Sequence, residues 1–309
     1  MIVTTVKKFL SYIEIKTKIT SVLTFIFILS YFFYKGYSVD VSKTVAFCFG
    51  MLLFDLTATA INNYSDTKKN GNELQFGRST ALTILLVLLA VSVMCGIWLI
   101  WQTDITVLFL GGICFLFGIL YSYGPLPFSH TPFGEILSGF FYGFMIPLIM
   151  LYINLPSGSL YDLNFKTHTL TISLFSGNVI DLLILAVVPF CLTANIMLAN
   201  NTCDIKQDIA VGRFTLPSYI GAKKSVWLFA FFYITVFVGI AVAVVLGTLS
   251  VGSLLTLGTI PIVAKNVKAF SKKQVKAETF GVSVGNFIII IVTLTLTNIL
   301  GTIVERFII

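Results

Sequence analysis

Two short segments carry side chains whose types and spacing could do chemistry: Asn62-Asn63-Tyr64-Ser65-Asp66 and Asn200-Asn201-Thr202-Cys203-Asp204. Each reads NNxxD, and the second copy continues to Asp208. On a helix, Asn200, Asp204 and Asp208 stand at i, i+4 and i+8 and so share one face. The equivalent third position of the first copy is Asn70, with Asn72 and Glu73 just beyond. Oxygen-bearing side chains of this kind suit a hard cation, and Mg²⁺ is typically held by one or two carboxylates together with phosphate oxygens and water. A bare diphosphate about 5 Å from a carboxylate would be repelled by roughly 3 kcal/mol per unit charge pair at an effective dielectric of about 20. Bridging cations reverse that sign. The alternative reading is that Asn and Asp merely cap helix ends, and two matching copies argue against it. Asp55, seven residues before Asn62, falls on the same face inside an apolar run. Such an acid either lines the site or hydrogen-bonds a neighbouring helix.

The elements that must position these groups come from a very apolar chain. Of 309 residues, 57% are hydrophobic and 11% charged, with a mean hydropathy of +0.97. These figures exclude an ordinary soluble domain, and with 29 Phe and 12 Tyr they exclude disorder. Apolar runs lie at 19 to 34, 43 to 61, 79 to 101, 105 to 121, 135 to 154, 179 to 199, 224 to 247, 249 to 264 and 280 to 304. A helix needs about 20 residues to cross the hydrocarbon. The expected fold is therefore an all-α integral membrane protein with nine transmembrane helices in a single domain over 1–309. Val6, Phe9, Leu10 and Ile13 recur at helical spacing among lysines, so residues 1–18 read as an amphipathic segment on the membrane surface. No cleaved signal peptide is expected, because the first long run lacks a small-residue cleavage site. The five cysteines include no CxxC pair, so neither a disulfide framework nor a zinc site follows.

With nine crossings, the side holding the N-terminus and the loops after the even-numbered runs carries 16 Lys and Arg, against four on the other side. The positive-inside rule then places the N-terminus, and both NNxxD segments, in the cytoplasm. The net charge of +7 thus reports orientation rather than nucleic acid, which is not an expected partner. The two copies end runs two and six, an offset of four helices, as expected of two similar four-helix halves facing each other.

Paired aspartate-rich motifs at one face of a nine-helix chain resemble the UbiA superfamily of intramembrane prenyltransferases, whose motifs are NDxxDxxxD and DxxxD. The second is intact as Asp204-Ile205-Lys206-Gln207-Asp208, and Val211-Gly212-Arg213-Phe214-Thr215-Leu216-Pro217 looks like the family's GKxTL continuation. Glu14-Ile15-Lys16-Thr17-Lys18, YSYGPLPF at 121 to 128 and GEILSGFFYGF at 134 to 144 are most similar to the MenA-like branch, the 1,4-dihydroxy-2-naphthoate polyprenyltransferases. The first motif departs from the pattern: Asn63 replaces an aspartate and Asn70 or Asn72 another, which leaves Asp66 as its sure carboxylate and Glu73 or Asp55 as substitutes. The YSYGPLPF loop has no basic pair, which favours the naphthoate branch.

The resemblance implies transfer of a polyprenyl group from polyprenyl diphosphate to 1,4-dihydroxy-2-naphthoate, with loss of diphosphate and CO2, on the cytoplasmic face of the plasma membrane. Loss of diphosphate from an allylic carbon leaves a carbocation, so Mg²⁺ and basic residues are required on the leaving group. Asp66, Asp204 and Asp208, with Asn62 and Asn200, are the expected metal and diphosphate ligands. Asn63 and Asn201 complete the motif's substrate contacts, and Lys69, Arg78 and Arg213 are candidate phosphate contacts. Tyr121 and Tyr123 could shield the cation or stack on the acceptor, or form an interfacial aromatic belt. His130 could bond the acceptor, although a solvated loop histidine is the plainer reading, and His168 falls on the opposite face. The tail would lie in an apolar channel open to the lipid bilayer. Competing readings are another aromatic acceptor, or a cation-coupled transporter, whose site belongs near the midplane rather than at one face.

Overall fold

The computed structural model describes residues 2–69, 74–124, 127–166 and 169–308, without the side chains of residues 2–4, Lys16, Asp66, Lys68, Lys69 and 162–172. Asn70, Asn72, Glu73 and His168, and the side chains of Asp66 and Lys69, lie outside the described residues.

Helix α1 (Ile2–Tyr12) and a 3-10 turn (Ile15–Lys18) precede α2 (Ile19–Lys35), α3 (Val41–Lys69), α4 (Arg78–Gln102) and α5 (Ile105–Ser122). Then α6 (Gly134–Gly139), a π-helical turn (Phe140–Met145) and α7 (Ile146–Asn154) run together as one apolar span. Strands β1 (Tyr161–Lys166) and β2 (Thr169–Leu174) follow, then α8 (Ser176–Cys203), α9 (Ile205–Ala210), α10 (Leu216–Val245), α11 (Ile260–Lys272) and α12 (Gly281–Phe307). The antiparallel β1–β2 hairpin, with Tyr161 opposite Leu174, departs from the all-α expectation. Its local alternation of Thr or Ser with larger residues at 167–174 has the period-2 pattern of a strand.

Among the described residues, seven helices rather than nine are long and apolar enough to cross a membrane. The first apolar run forms α2, only 17 residues long. The eighth begins as a 3-10 segment (Val251–Thr259) and only then becomes α11. The chain is a multi-pass helical membrane protein. Its outer spans present large apolar side chains, such as Met94, Trp101 and Phe109, to the surroundings, as lipid permits and water does not.

The centre of the bundle is α8, whose most apolar stretch is 67% buried against 11% for that of Ile105–Ser122. Close approach explains that burial. A Cβ on Gly139 would stand 2.9 Å from Phe190 O, and one on Gly143 would collide with the Phe190 backbone. Glycine at both positions lets the Gly134–Asn154 span lie directly on α8. At the end of α8 remote from Asn200, Asp181 accepts from Tyr31 OH (3.0 Å) and Thr248 Oγ1 (2.6 Å) and pairs with Lys35 (2.9 Å), fastening α2 and the α10–α11 connection to α8.

Candidate active site

The first motif ends α3. Asn62 and Asn63 are half-buried there, and Asn63 Nδ2 donates to Tyr12 O (2.8 Å) and Glu14 Oε1 (3.3 Å). Asn62 has no side-chain hydrogen bond among the described residues. Arg78, at the start of α4, lays its guanidinium 5.1 Å from the centroid of the Tyr64 ring. With Lys8 and Thr67 it borders a cavity of about 600 Å³.

The second motif is assembled around the end of α8. The chain leaves the helix at Asp204, makes the single turn and a half of α9, and reverses at Gly212, whose φ of +74° is left-handed backbone that glycine adopts without a Cβ penalty. That reversal brings Arg213 back onto Asp208: its backbone N–H donates to Asp208 O (2.8 Å), and Nε stands 3.6 Å from Asp208 Oδ1. At that separation the two are an ion pair without a hydrogen bond. A second Arg213 nitrogen donates to Ser129 O (3.2 Å), anchoring the α5–α6 connection, and Phe214 N donates to His130 O (3.0 Å).

Asp208 is 5% exposed, and its Oδ2 is buried with no hydrogen-bond partner. Burial holds the Asp208 carboxyl above the usual carboxylate range; the Arg213 guanidinium opposes that shift, and the Asp204 charge adds to it. Asp204 pairs with Lys276 Nζ at 2.5 Å. Asn200 Nδ2 donates to Asn201 Oδ1 (3.3 Å), and buried Asn201 donates to Glu135 Oε1 (2.9 Å).

The Gly134–Asn154 span connects the two motif helices. At its start Glu135 holds Asn201 of α8. Seven residues on, within the π-helical turn, Tyr142 OH donates to Asp55 Oδ1 of α3 (2.6 Å). Asp55 also accepts from Lys18 Nζ (2.8 Å) and Ser21 Oγ (2.8 Å). Its carboxylate is therefore committed to neighbouring elements, the second of the two sequence readings. Tyr121 OH contacts Met197 Sδ of α8 (3.5 Å) and lies within electrostatic reach of Glu135. Tyr123, by contrast, is 62% exposed.

Glu135, Lys276, Tyr142 and Lys18 join this architecture although sequence reasoning did not single them out as site residues. Glu135 carried a readable signal, an acid opening an apolar run. Lys276 did not, since one exposed lysine among several is distinguished only by the partner that folding brings to it.

Among the described residues no three His, Cys, Asp or Glu side chains converge as a ready metal centre. The donor set still fits Mg²⁺ bound through a substrate. It offers carboxylates at Asp204 and Asp208, an unpartnered buried oxygen on Asp208, amide oxygens nearby and an arginine alongside, while phosphate oxygens would complete the shell.

A multi-pass helical bundle whose two motif-bearing helices, α3 and α8, are bridged by one apolar span through Asp55–Tyr142 and Glu135–Asn201 defines the class: an α-helical membrane protein with polar side chains linked between its spans. The chain belongs to the UbiA prenyltransferase family, whose model matches residues 22–283, and it is a prenyltransferase of MenA-like type. It is 26% identical over 260 residues to 1,4-dihydroxy-2-naphthoate octaprenyltransferase of Bacillus subtilis (strain 168), covering 80% of this chain and 76% of that protein. Its fold is shared with a UbiA homolog from Aeropyrum pernix K1 (TM-score 0.62, 12% identity, 92% of this chain and 97% of that one). It is also shared with a UbiA homolog from Archaeoglobus fulgidus solved with DMAPP and Mg²⁺ (TM-score 0.52, 12% identity, 96% and 99%).

Proposed function

We propose that this protein transfers a polyprenyl group from polyprenyl diphosphate to 1,4-dihydroxy-2-naphthoate, releasing diphosphate and CO2 and giving the prenylated naphthoquinol, the reduced form of demethylmenaquinone. The observation that carries the reading is the second motif: Asp204 and Asp208 on one turn, with Arg213 and Lys276 beside them and one buried carboxylate oxygen unpartnered. The naphthoate acceptor is supported by the Bacillus subtilis relative, and Mg²⁺ by the Archaeoglobus fulgidus structure.

Asp66, Asp204 and Asp208, with Asn62 and Asn200, would hold Mg²⁺ against the diphosphate. The metal would supply charge neutralisation for the departing group. Arg213, which the Gly212 reversal turns onto Asp208, would meet phosphate oxygens, and Lys276 would exchange Asp204 for the leaving group. Arg78 and Lys69 would serve the same anion from the first motif. Tyr121, Tyr123 and the apolar walls between the motif helices would exclude water from the allylic cation, and the aromatic faces would stabilise it. Asn63 and Asn201 act in this reading through the elements they join. In the membrane, α2 and the 251–272 segment would be two further crossings, nine in all, in two similar halves. The excess of Lys and Arg at the motif end supports a cytoplasmic site in the plasma membrane.

The test is a reconstituted assay of purified protein with Mg²⁺, dihydroxynaphthoate and a polyprenyl diphosphate. Release of diphosphate and CO2 with a prenylated naphthol is expected, together with near-complete loss in Asp204→Asn and in Asp66→Asn. Retained activity in both variants would overturn the metal assignment. Preferential use of 4-hydroxybenzoate in a competition assay would overturn the acceptor.

A further inference from the structure

The segment Tyr12–Lys18 lies along one face of α3, the helix that ends in the first motif. Tyr12 OH shares its one proton between Ala60 O and, across to α4, Ala81 O, each at 3.2 Å. Burial pushes the Tyr12 phenol up to about 12, with the neighbouring Tyr64 adding to the shift, so it remains a donor at neutral pH. Lys18 Nζ donates to Asp55 O (2.9 Å), Asp55 Oδ1 (2.8 Å) and Thr59 Oγ1 (2.5 Å). Between these anchors Asn63 Nδ2 donates to Tyr12 O (2.8 Å) and Glu14 Oε1 (3.3 Å). The contacts on α3 thus fall at 55, 59, 60 and 63, a single helical face.

The turn within this strap is strained. Glu14, at φ 47° and ψ 52°, is the one non-glycine residue with positive φ among those described. Such a conformation persists only where the surroundings over-determine it. Here Thr17 N and Thr17 Oγ1 both donate to Glu14 O at 2.9 Å, while Tyr12 and Ile13 on the near side are fully buried.

The chemistry at position 63 is directional. Both partners of the Asn63 side chain are pure acceptors, a backbone carbonyl and a carboxylate, so an amide N–H₂ must face them. A carboxylate at that position could donate to neither, and it would stand against the Glu14 charge. We propose that Asn63 is a positioning residue, its amide clamping the Tyr12–Lys18 strap onto α3 and so holding the Asn62 and Asp66 end of the first motif in place for the diphosphate headgroup. It acts without itself touching metal or substrate. This rests on the proposed function, in which that end of α3 receives the headgroup.

The test compares wild type, Asn63→Ala, Asn63→Asp and the double variant Glu14→Gln/Asn63→Asp as full-length protein, with Mg²⁺, geranylgeranyl diphosphate and dihydroxynaphthoate. Asn63→Asp is expected to raise the KM for the diphosphate about tenfold, at least as much as Asn63→Ala, as expected when a partly buried hydrogen bond is replaced by charge repulsion. Its half-saturating Mg²⁺ should not fall. The double variant should recover part of the loss, because the amide introduced at 14 can donate to the carboxylate introduced at 63, while the Tyr12 carbonyl stays without its donor. Tighter Mg²⁺ binding or undiminished activity in Asn63→Asp would overturn the proposal, since a metal ligand gains from a carboxylate. So would a double variant no better than the single one. Thermal midpoints should follow the same order, with the double variant between wild type and Asn63→Asp. That ordering tests the clamp even if wild type shows no prenyl transfer, an outcome that would sink the proposed function alone.

Discussion

Lys276 Nζ stands 2.5 Å from Asp204 Oδ2, across 72 positions of sequence, and so neutralises the first carboxylate of the second motif. The lysine is 54% exposed, so the pair belongs to the class worth about 0–1 kcal/mol. Lys276 competes with any cation for Asp204. Lys276→Met is therefore expected to lower the half-saturating Mg²⁺ concentration by up to about fivefold, while the KM for prenyl diphosphate rises through loss of a phosphate partner. Mg²⁺ titrations of diphosphate release in the two proteins measure both changes. An unchanged or higher Mg²⁺ requirement would show that the lysine does not compete.

Asp208 sets a pH dependence whose sign follows from its surroundings. Burial, with Asp204 adding and Arg213 opposing, raises its carboxyl above the usual range. A raised acid contributes stability that is fully present below its unfolded pKa and is lost as pH rises through the folded one. The charged form is therefore the uncomfortable one in the metal-free protein, and cation binding relieves it. The increase in thermal midpoint produced by saturating Mg²⁺ should grow as pH rises through the raised titration of the Asp208 carboxyl. In Asp208→Asn that growth should be much reduced. A Mg²⁺ effect on the midpoint that is flat with pH in the wild type would count against Asp208 as a ligand.

Glu135 offers a test that separates packing from chemistry. Its Oε1 accepts from buried Asn201 and its Oε2 has no partner, both within a residue that is 1% exposed. Glu135→Ala leaves the Asn201 amide unsatisfied, at a cost of about 1–3 kcal/mol, and should lower the thermal midpoint and activity together. Glu135→Gln keeps an acceptor for Asn201 and relieves an unpaired buried charge, so its midpoint should match or exceed wild type. Equal destabilisation by the two substitutions would mean that the Asn201 bond contributes little.

Hydropathy alone placed the spans that are continuous α-helix: the run read at 105 to 121 is helix Ile105–Ser122, and that at 79 to 101 is Arg78–Gln102. It could not show the π-helical turn at Phe140–Met145, a change of hydrogen-bond register that leaves the run equally apolar, nor the approach of Gly139 and Gly143 to Phe190, a contact between distant segments. The β1–β2 hairpin escaped for a different reason. Its strands are six residues each, and a search at the length scale of a membrane span averages over their alternation. In the site, the i, i+4 spacing of Asp204 and Asp208 was readable, although the chain breaks between α8 and α9 rather than continuing as one helix. The repeated motif hid an asymmetry. Asn201 turns inward to Glu135, while its counterpart Asn63 turns to the N-terminal segment, a difference set by which neighbour each helix end acquires.

Lys18 and Asp55 should behave as a coupled unit. Their side chains are each 6% exposed and 2.8 Å apart. The ammonium's three donors go to Asp55 O, Asp55 Oδ1 and Thr59 Oγ1, while the carboxylate also accepts from Ser21 and Tyr142. A buried pair this fully bonded gains little net stability from its charges, yet removing one partner strands the other. Lys18→Met should therefore destabilise by about 3–5 kcal/mol, and Lys18→Met/Asp55→Leu by less than Lys18→Met alone. Denaturant titrations of the detergent-solubilised protein would give the coupling energy. Additive losses in the double variant would mean that both charges reach water in the native state, and that Asp55 is free to face the site rather than committed to the strap.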